Sequence, residues 1–120
     1  MYKISIIEDE PIMRKYLSNC LDWGKLNLEL CGAYSKKETA LKGILKNGTD
    51  IIITDIKLPD SDGLTLVSEV SEINPSIQFV VISAYSDFEN VKKAFKIGAL
   101  DYILKTEFEP EHLEQVLIKI

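Results

Sequence analysis

Asp50-Ile51-Ile52-Ile53-Thr54-Asp55-Ile56-Lys57-Leu58-Pro59 is the stretch that decides the fold. Three consecutive isoleucines cannot alternate between core and water. A strand made of them, Asp50–Thr54, is buried on both faces, as in a parallel sheet covered by helices on each side. The run ends in Asp55, and Pro59 and Gly63 punctuate the loop behind it. Such a strand needs neighbours of its own kind, and the chain supplies them. Upstream, Tyr2–Ile7 is β-branched and apolar and runs into Glu8, Asp9 and Glu10. Downstream, Ile77–Ile82 is a second buried run ending at Ser83, and Tyr102–Leu104 is a short one ending at Lys105. Leu26–Ala33 reads as the remaining strand.

Helix signals alternate with these strands. Pro11 opens the first helix, at a position where its missing N–H costs little, and Ile12, Met13, Tyr16, Leu17, Cys20 and Leu21 give it an apolar face that stops before Gly24. The second covers Thr39–Lys46 and precedes Gly48. Leu64, Val67, Val70 and Ile73 recur at helical spacing up to Asn74-Pro75, and Phe88, Val91, Ala94 and Phe95 do so up to Gly98. Leu113, Val116, Leu117 and Ile120 mark the last helix. Five βα units in this order predict a doubly wound α/β domain with a five-stranded parallel sheet. The flavodoxin-like strand order 2-1-3-4-5 makes strands one, three, four and five neighbours.

Composition narrows the function. The chain has 120 residues, enough for one domain, and 46% of them are hydrophobic. Its 14 Lys and Arg stand against 19 Asp and Glu, a net charge of -5, so it lacks the clustered cations that a duplex-binding surface needs. No apolar run approaches the ~20 residues of a membrane span. The two cysteines, Cys20 and Cys31, lack metal-ligand spacing and make no disulfide framework, which suits a reduced cytoplasmic compartment. The last helix stops on an apolar residue, and we expect residues 1–120 to be the N-terminal part of a longer protein.

Ligand sites in open parallel sheets lie beyond the carboxyl ends of the strands. Strand one ends in Glu8 and Asp9, strand three in Asp55, strand four in Ser83 and strand five in Lys105. Three carboxylates, a hydroxyl and an ammonium should therefore converge at one rim. The carboxylates repel one another and invite a hard cation, for which Mg2+ is the natural choice because it shares its oxygen shell with phosphate. A carboxylate can also act as a nucleophile toward phosphorus. The constellation reads as phosphoryl acceptance.

The motifs now become specific. Ile6-Ile7-Glu8-Asp9-Glu10-Pro11, Thr54-Asp55-Ile56-Lys57-Leu58-Pro59, Asp62-Gly63-Leu64, Ser83-Ala84-Tyr85 and Asp101-Tyr102-Ile103-Leu104-Lys105 resemble the five signatures of bacterial response regulator receiver domains, in order and across essentially the whole chain. The resemblance implies that Asp55 is the phosphoacceptor, served by a sensor histidine kinase. It implies that Asp9, Asp55 and the Lys57 backbone carbonyl ligate Mg2+ directly, with Glu8 acting mainly through a water. It makes Lys105 the phosphate-binding lysine and Ser83 with Tyr102 the switch pair. It further implies a surface on the fourth helix, fifth strand and fifth helix that forms dimers or touches an effector. Leu21-Asp22-Trp23 and Ser83-Ala84-Tyr85-Ser86-Asp87-Phe88-Glu89 are similar to receivers fused to an AraC-type helix-turn-helix domain, so DNA binding would reside in a missing C-terminal segment. Glu8 stands where most receivers have Asp, and Thr106 follows Lys105 where the family usually has Pro.

Plainer readings weigh against some of these residues. Glu10 needs no role beyond placing negative charge at a helix N-terminus. Trp23 reads as packing, His112 as an exposed residue near the start of the last helix, and Lys92, Lys93 and Lys96 as a solvated face. An Asp-nucleophile phosphatase would want a second Asp where Lys57 stands, and Glu8-Asp9-Glu10 would repel a flavin phosphate. A degenerate receiver would have lost one of the five key groups, and none is lost. We therefore expect a signalling module and no enzyme. Without proline, Lys105-Thr106 should be trans, because a non-proline cis bond costs about 2.5–4 kcal/mol. The Lys105 ammonium should still reach the Asp55 carboxylate.

Overall fold

The computed structural model describes residues 1–120. Five strands, β1 (Tyr2–Ile7), β2 (Leu28–Tyr34), β3 (Ile51–Thr54), β4 (Gln78–Ser83) and β5 (Asp101–Leu104), form one sheet in the order β2-β1-β3-β4-β5. Every pairing is parallel. Five helices connect them: α1 (Pro11–Asn19), α2 (Lys37–Asn47), α3 (Gly63–Ile73), α4 (Phe88–Lys96) and α5 (Pro110–Ile118). The flavodoxin-like α/β architecture is the one the alternation of signals predicts.

The isoleucine run behaves as its composition dictates. Ile51 and Ile53 point to one face and pack with Ile4, Ile6, Val80, Ile82 and Ile103 under Leu17 of α1 and Leu113 and Leu117 of α5. Ile52 points to the other face, where Ile7, Phe79 and Val81 meet Ala40 and Ile44 of α2, Leu66, Val67 and Val70 of α3, and Ala94 of α4. Burying each such side chain contributes roughly 1.5–3 kcal/mol, so the central strand anchors both cores.

The boundaries differ from expectation at the start of the second unit. The first helix ends at Asn19 rather than running to Gly24, because the Trp23 indole donates to the Ser18 carbonyl (2.8 Å) and turns the chain. A 3-10 turn at Gly24–Leu26 and Asn27 at φ 60° follow, so the strand begins at Leu28 and extends to Tyr34. Periodicity could not show this, since Leu26 and Leu28 are equally apolar. Trp23 also packs against the α1/α5 core, as a packing residue should.

Two acidic residues place the loop after β3. Asp62 caps α3 by accepting from the Thr65 amide at 2.8 Å. Asp60 reaches across to α2 and accepts from the Lys37 and Glu38 amides, both at 2.9 Å, at a helix whose own N-cap, Lys36, supplies no side-chain bond. Those bonds hold the Asp60 carboxyl below its ordinary range. Gly63 opens α3 directly beneath the end of β3, where a Cβ would collide with the Asp55 carbonyl oxygen and with Thr54 Oγ1. The colliding atoms include backbone and cannot rotate away. Gly63→Ala is expected to cost about 3 kcal/mol, read as a lowered denaturation midpoint. A midpoint matching wild type would show that the α3 start can shift.

Candidate functional site

The site grows from the carboxyl ends of the strands. β1 leads into Glu8, only 1% exposed, and into exposed Asp9. β3 leads into Asp55, 5% exposed, and β4 ends in fully buried Ser83. β5 leads directly into Lys105, whose side chain is 14% exposed. The register carries these groups to one rim, since Ile7 pairs with Thr54, and Ser83 with Leu104.

Lys105 Nζ donates to Asp55 Oδ2 at 2.9 Å and to Glu10 Oε1 at 2.6 Å. It also lies 2.7 Å from Glu8 Oε1. That last contact is ionic only, and Glu8 Oε1 is buried with no hydrogen bond directed at it. The Lys105-Thr106 bond is trans, as expected, with Lys105–Glu107 forming a 3-10 turn. Asp55 Oδ1 accepts from the Ile56 amide at 2.6 Å. Glu8 Oε2 accepts from the Glu10 amide at 3.1 Å, and the Arg14 guanidinium holds the Glu8 carbonyl at 2.8 Å.

One carboxylate oxygen each from Glu8, Asp9 and Asp55 lie within 4.8 Å of one another. Such a trio can hold a metal ion, and Glu8 Oε1, buried with no partner beyond its ion pair with Lys105, keeps a lone pair that fits one. The Lys57 carbonyl accepts no hydrogen bond from the chain and is free to serve as a further oxygen ligand.

The opposite side of the rim converges on Tyr85. Its amide donates to Ser83 Oγ at 3.1 Å, its carbonyl accepts from the Tyr102 hydroxyl at 2.5 Å, and its ring lies under Lys57 Nζ at 4.3 Å. Tyr102 is half-buried, and burial lifts its phenol above the ordinary value.

Sequence reasoning missed three participants. Glu10 does more than put charge at the α1 N-terminus, since it is a direct partner of Lys105. Nothing in the local pattern joins residues 10 and 105. Arg14 and Asp60 were likewise silent, because each acts through backbone groups that only the fold brings near. His112 is exposed, as expected, yet it also pairs with Asp101 Oδ2 at 2.6 Å.

A parallel sheet in this order, gathering acids from β1 and β3 and a lysine from β5, defines the receiver class of α/β proteins. The chain belongs to the response regulator receiver domain family, whose model matches residues 4–118. That family is a family of receivers, not of enzymes. The chain is 35% identical over 123 residues to the uncharacterized transcriptional regulatory protein YesN of Bacillus subtilis, spanning 100% of this chain and 33% of YesN. It is 33% identical over 121 residues to the transcriptional regulatory protein MalR of the same organism, spanning 98% of this chain and 49% of MalR. Among solved structures, the REC domain of AraT, a response regulator from Geobacillus stearothermophilus, superposes with a TM-score of 0.89 at 31% identity, over 98% of this chain and 91% of that one. The chain thus spans a third to a half of the length of these curated relatives. No helix is long and apolar enough to cross a membrane.

Burial dominates the protonation of Glu8. It pushes the carboxyl up from 4.5 to about 7, although Lys105 and the Glu10 amide pull the other way. At Lys105 burial works against the charge, but Glu10, Glu8 and Asp55 outweigh it and the pKa rises. A carboxyl with a raised folded pKa contributes stability that is complete below 4.5 and lost as pH climbs through about 7. Carboxyl NMR of the metal-free protein should show Glu8 titrating near pH 7. Glu8→Gln, which cannot ionise, should gain stability relative to wild type between pH 5 and pH 8. A Glu8 midpoint in the ordinary carboxylate range would overturn this assignment.

Proposed function

We propose that this chain is the phosphoacceptor of a two-component signalling pair, and that Asp55 receives a phosphoryl group from a phosphohistidine of a sensor histidine kinase. The observation that carries this reading is Asp55 itself. It is a nearly buried carboxylate at the end of the central strand, with Lys105 Nζ at 2.9 Å and two further carboxylates beside it. In the reaction an Asp55 oxygen bonds to phosphorus, the donor's P–N bond breaks, and its electron pair stays on the imidazole. Lys105 neutralises a phosphoryl oxygen, and Ser83 donates a hydrogen bond to another. Asp9, Asp55 and the Lys57 carbonyl would hold Mg2+ directly and Glu8 would do so mainly through a water. When bound, the ion neutralises charge on the phosphoryl oxygens.

The signal then passes through Ser83 and Tyr102. Ser83 moves toward the phosphoryl group, the Tyr102 hydroxyl leaves the Tyr85 carbonyl, and the ring turns inward. The surface of α4, β5 and α5 is changed, a two-state element biased by local charge. That surface suits a homodimer. Exposed Lys92, Lys93 and Lys96 lie on α4, while Asp101, Glu107 and Glu109 rim the groove over β5 between α4 and α5, so a two-fold pairing sets basic against acidic. The longer relatives named as transcriptional regulators support an output on DNA, through an AraC-type domain C-terminal to residues 1–120. A cytoplasmic location follows from this role.

Acetyl phosphate with Mg2+ should add a single phosphoryl group to wild type and none to Asp55→Asn, as read by intact-mass spectrometry. An added phosphate persisting in that variant would assign the nucleophile elsewhere.

The aspartyl-phosphate should be long-lived, on the scale of minutes or more. Lys57 and Tyr85 form a cation–π pair between the loops after β3 and β4, and neither offers a carboxylate or amide to orient a hydrolytic water. Tyr85→Ala should hasten the loss of phosphate followed by mass. Decay within seconds in wild type, or slower decay in the variant, would contradict the shielding role.

A further inference from the structure

Lys105 is the one ammonium in contact with Glu8, Glu10 and Asp55. Two of those three carboxylates, Glu8 and Asp55, also belong to the trio that can share a divalent cation. Lysine and cation therefore compete for the same oxygens. A cation that takes them leaves the ammonium with one partner, Glu10. The Glu10 side chain is 63% exposed and extends from the residue just before α1, outside the trio. Its contact with Lys105 is the shortest of the three, at 2.6 Å. Glu10 is also fastened to the site by its backbone, because its amide donates to Glu8 Oε2.

We propose that Glu10 is a positioning residue that receives Lys105 when a divalent cation occupies the trio, keeping the ammonium at the rim beside Asp55. This deepens the phosphoacceptor reading and rests on it. Without Glu10, the Lys105 ammonium has only Glu8 and Asp55 to pair with, and it resists the cation's entry. Glu10 thus makes cation binding and a correctly placed lysine compatible.

A double-mutant cycle on metal binding tests this, with Mg2+ as the probe and amide NMR titration as the readout. Glu10→Gln should weaken Mg2+ binding by roughly fivefold, the scale of one partly exposed ion pair. In a Lys105→Met background the same change should have little effect, because no ammonium needs a second partner. A loss of equal size in both backgrounds would mean that Glu10 acts only through space on the cation, and would overturn the proposal. No loss in either background would overturn it too. Should Lys105→Met fold poorly, the side-chain ammonium resonance of Lys105 answers instead. With saturating Mg2+ it should be protected from solvent exchange in wild type and lost in Glu10→Gln, and equal protection in both would count against the role. Failure of wild type to bind Mg2+ at all would defeat the phosphoacceptor reading as well, so the two failures are told apart.

Discussion

The packing of β3 on both faces is the constraint on which the molecule rests. Ile51 and Ile53 serve the core under α1 and α5, and Ile52 serves the core under α2, α3 and α4. A slip of one residue would exchange these sets and misfill both cores at once, so the register is pinned from two sides. Asp55 lies one residue past that pinned segment, and its position is inherited from the isoleucines and fastened by its own amide, which donates to the Ile7 carbonyl at 3.0 Å. Gly63 completes the seat by letting α3 start against the Asp55 backbone.

Charge at the rim works against this stability. Glu8, Glu10 and Asp55 gather around a single ammonium with Asp9 beside two of them, and Glu8 Oε1 is buried with no partner beyond that ion pair. A fold optimised for stability alone would have placed an apolar side chain at position 8, since a buried ionised group is expensive to hold. The two cores offset the local strain, and the site retains an appetite for positive charge. Such departures from locally favourable chemistry concentrate at functional sites.

Tyr85 joins the rim to the surface that faces outward. Its amide holds Ser83, its carbonyl holds Tyr102, and its ring supports Lys57. Tyr85 thus bridges the buried Ser83 hydroxyl and the half-buried Tyr102 ring. The groove bordered by Tyr102, Asp101 and His112 lies immediately beyond it, between α4 and α5. The strand ends are therefore joined to that outer face by hydrogen bonds through Tyr85.

The sequence by itself determined the α/β class, the five βα units and the identity of the groups after each strand. Hydrophobic periodicity and the residues that interrupt it are local properties, and they are written in Ile51-Ile52-Ile53, in Pro11 and in Asn74-Pro75. Motif spacing likewise carried Glu8, Asp9, Asp55, Ser83 and Lys105 to one rim once the strand order was supplied. Tertiary structure alone decided what those groups do to one another. It paired Glu10 with Lys105, ninety-five residues apart, set Asp60 on the N-terminus of α2, and ended α1 early through Trp23. Each depends on where a flexible side chain finds a partner after the backbone has folded. A contact made across the sheet leaves no period, turn or cap in the sequence on either side of it.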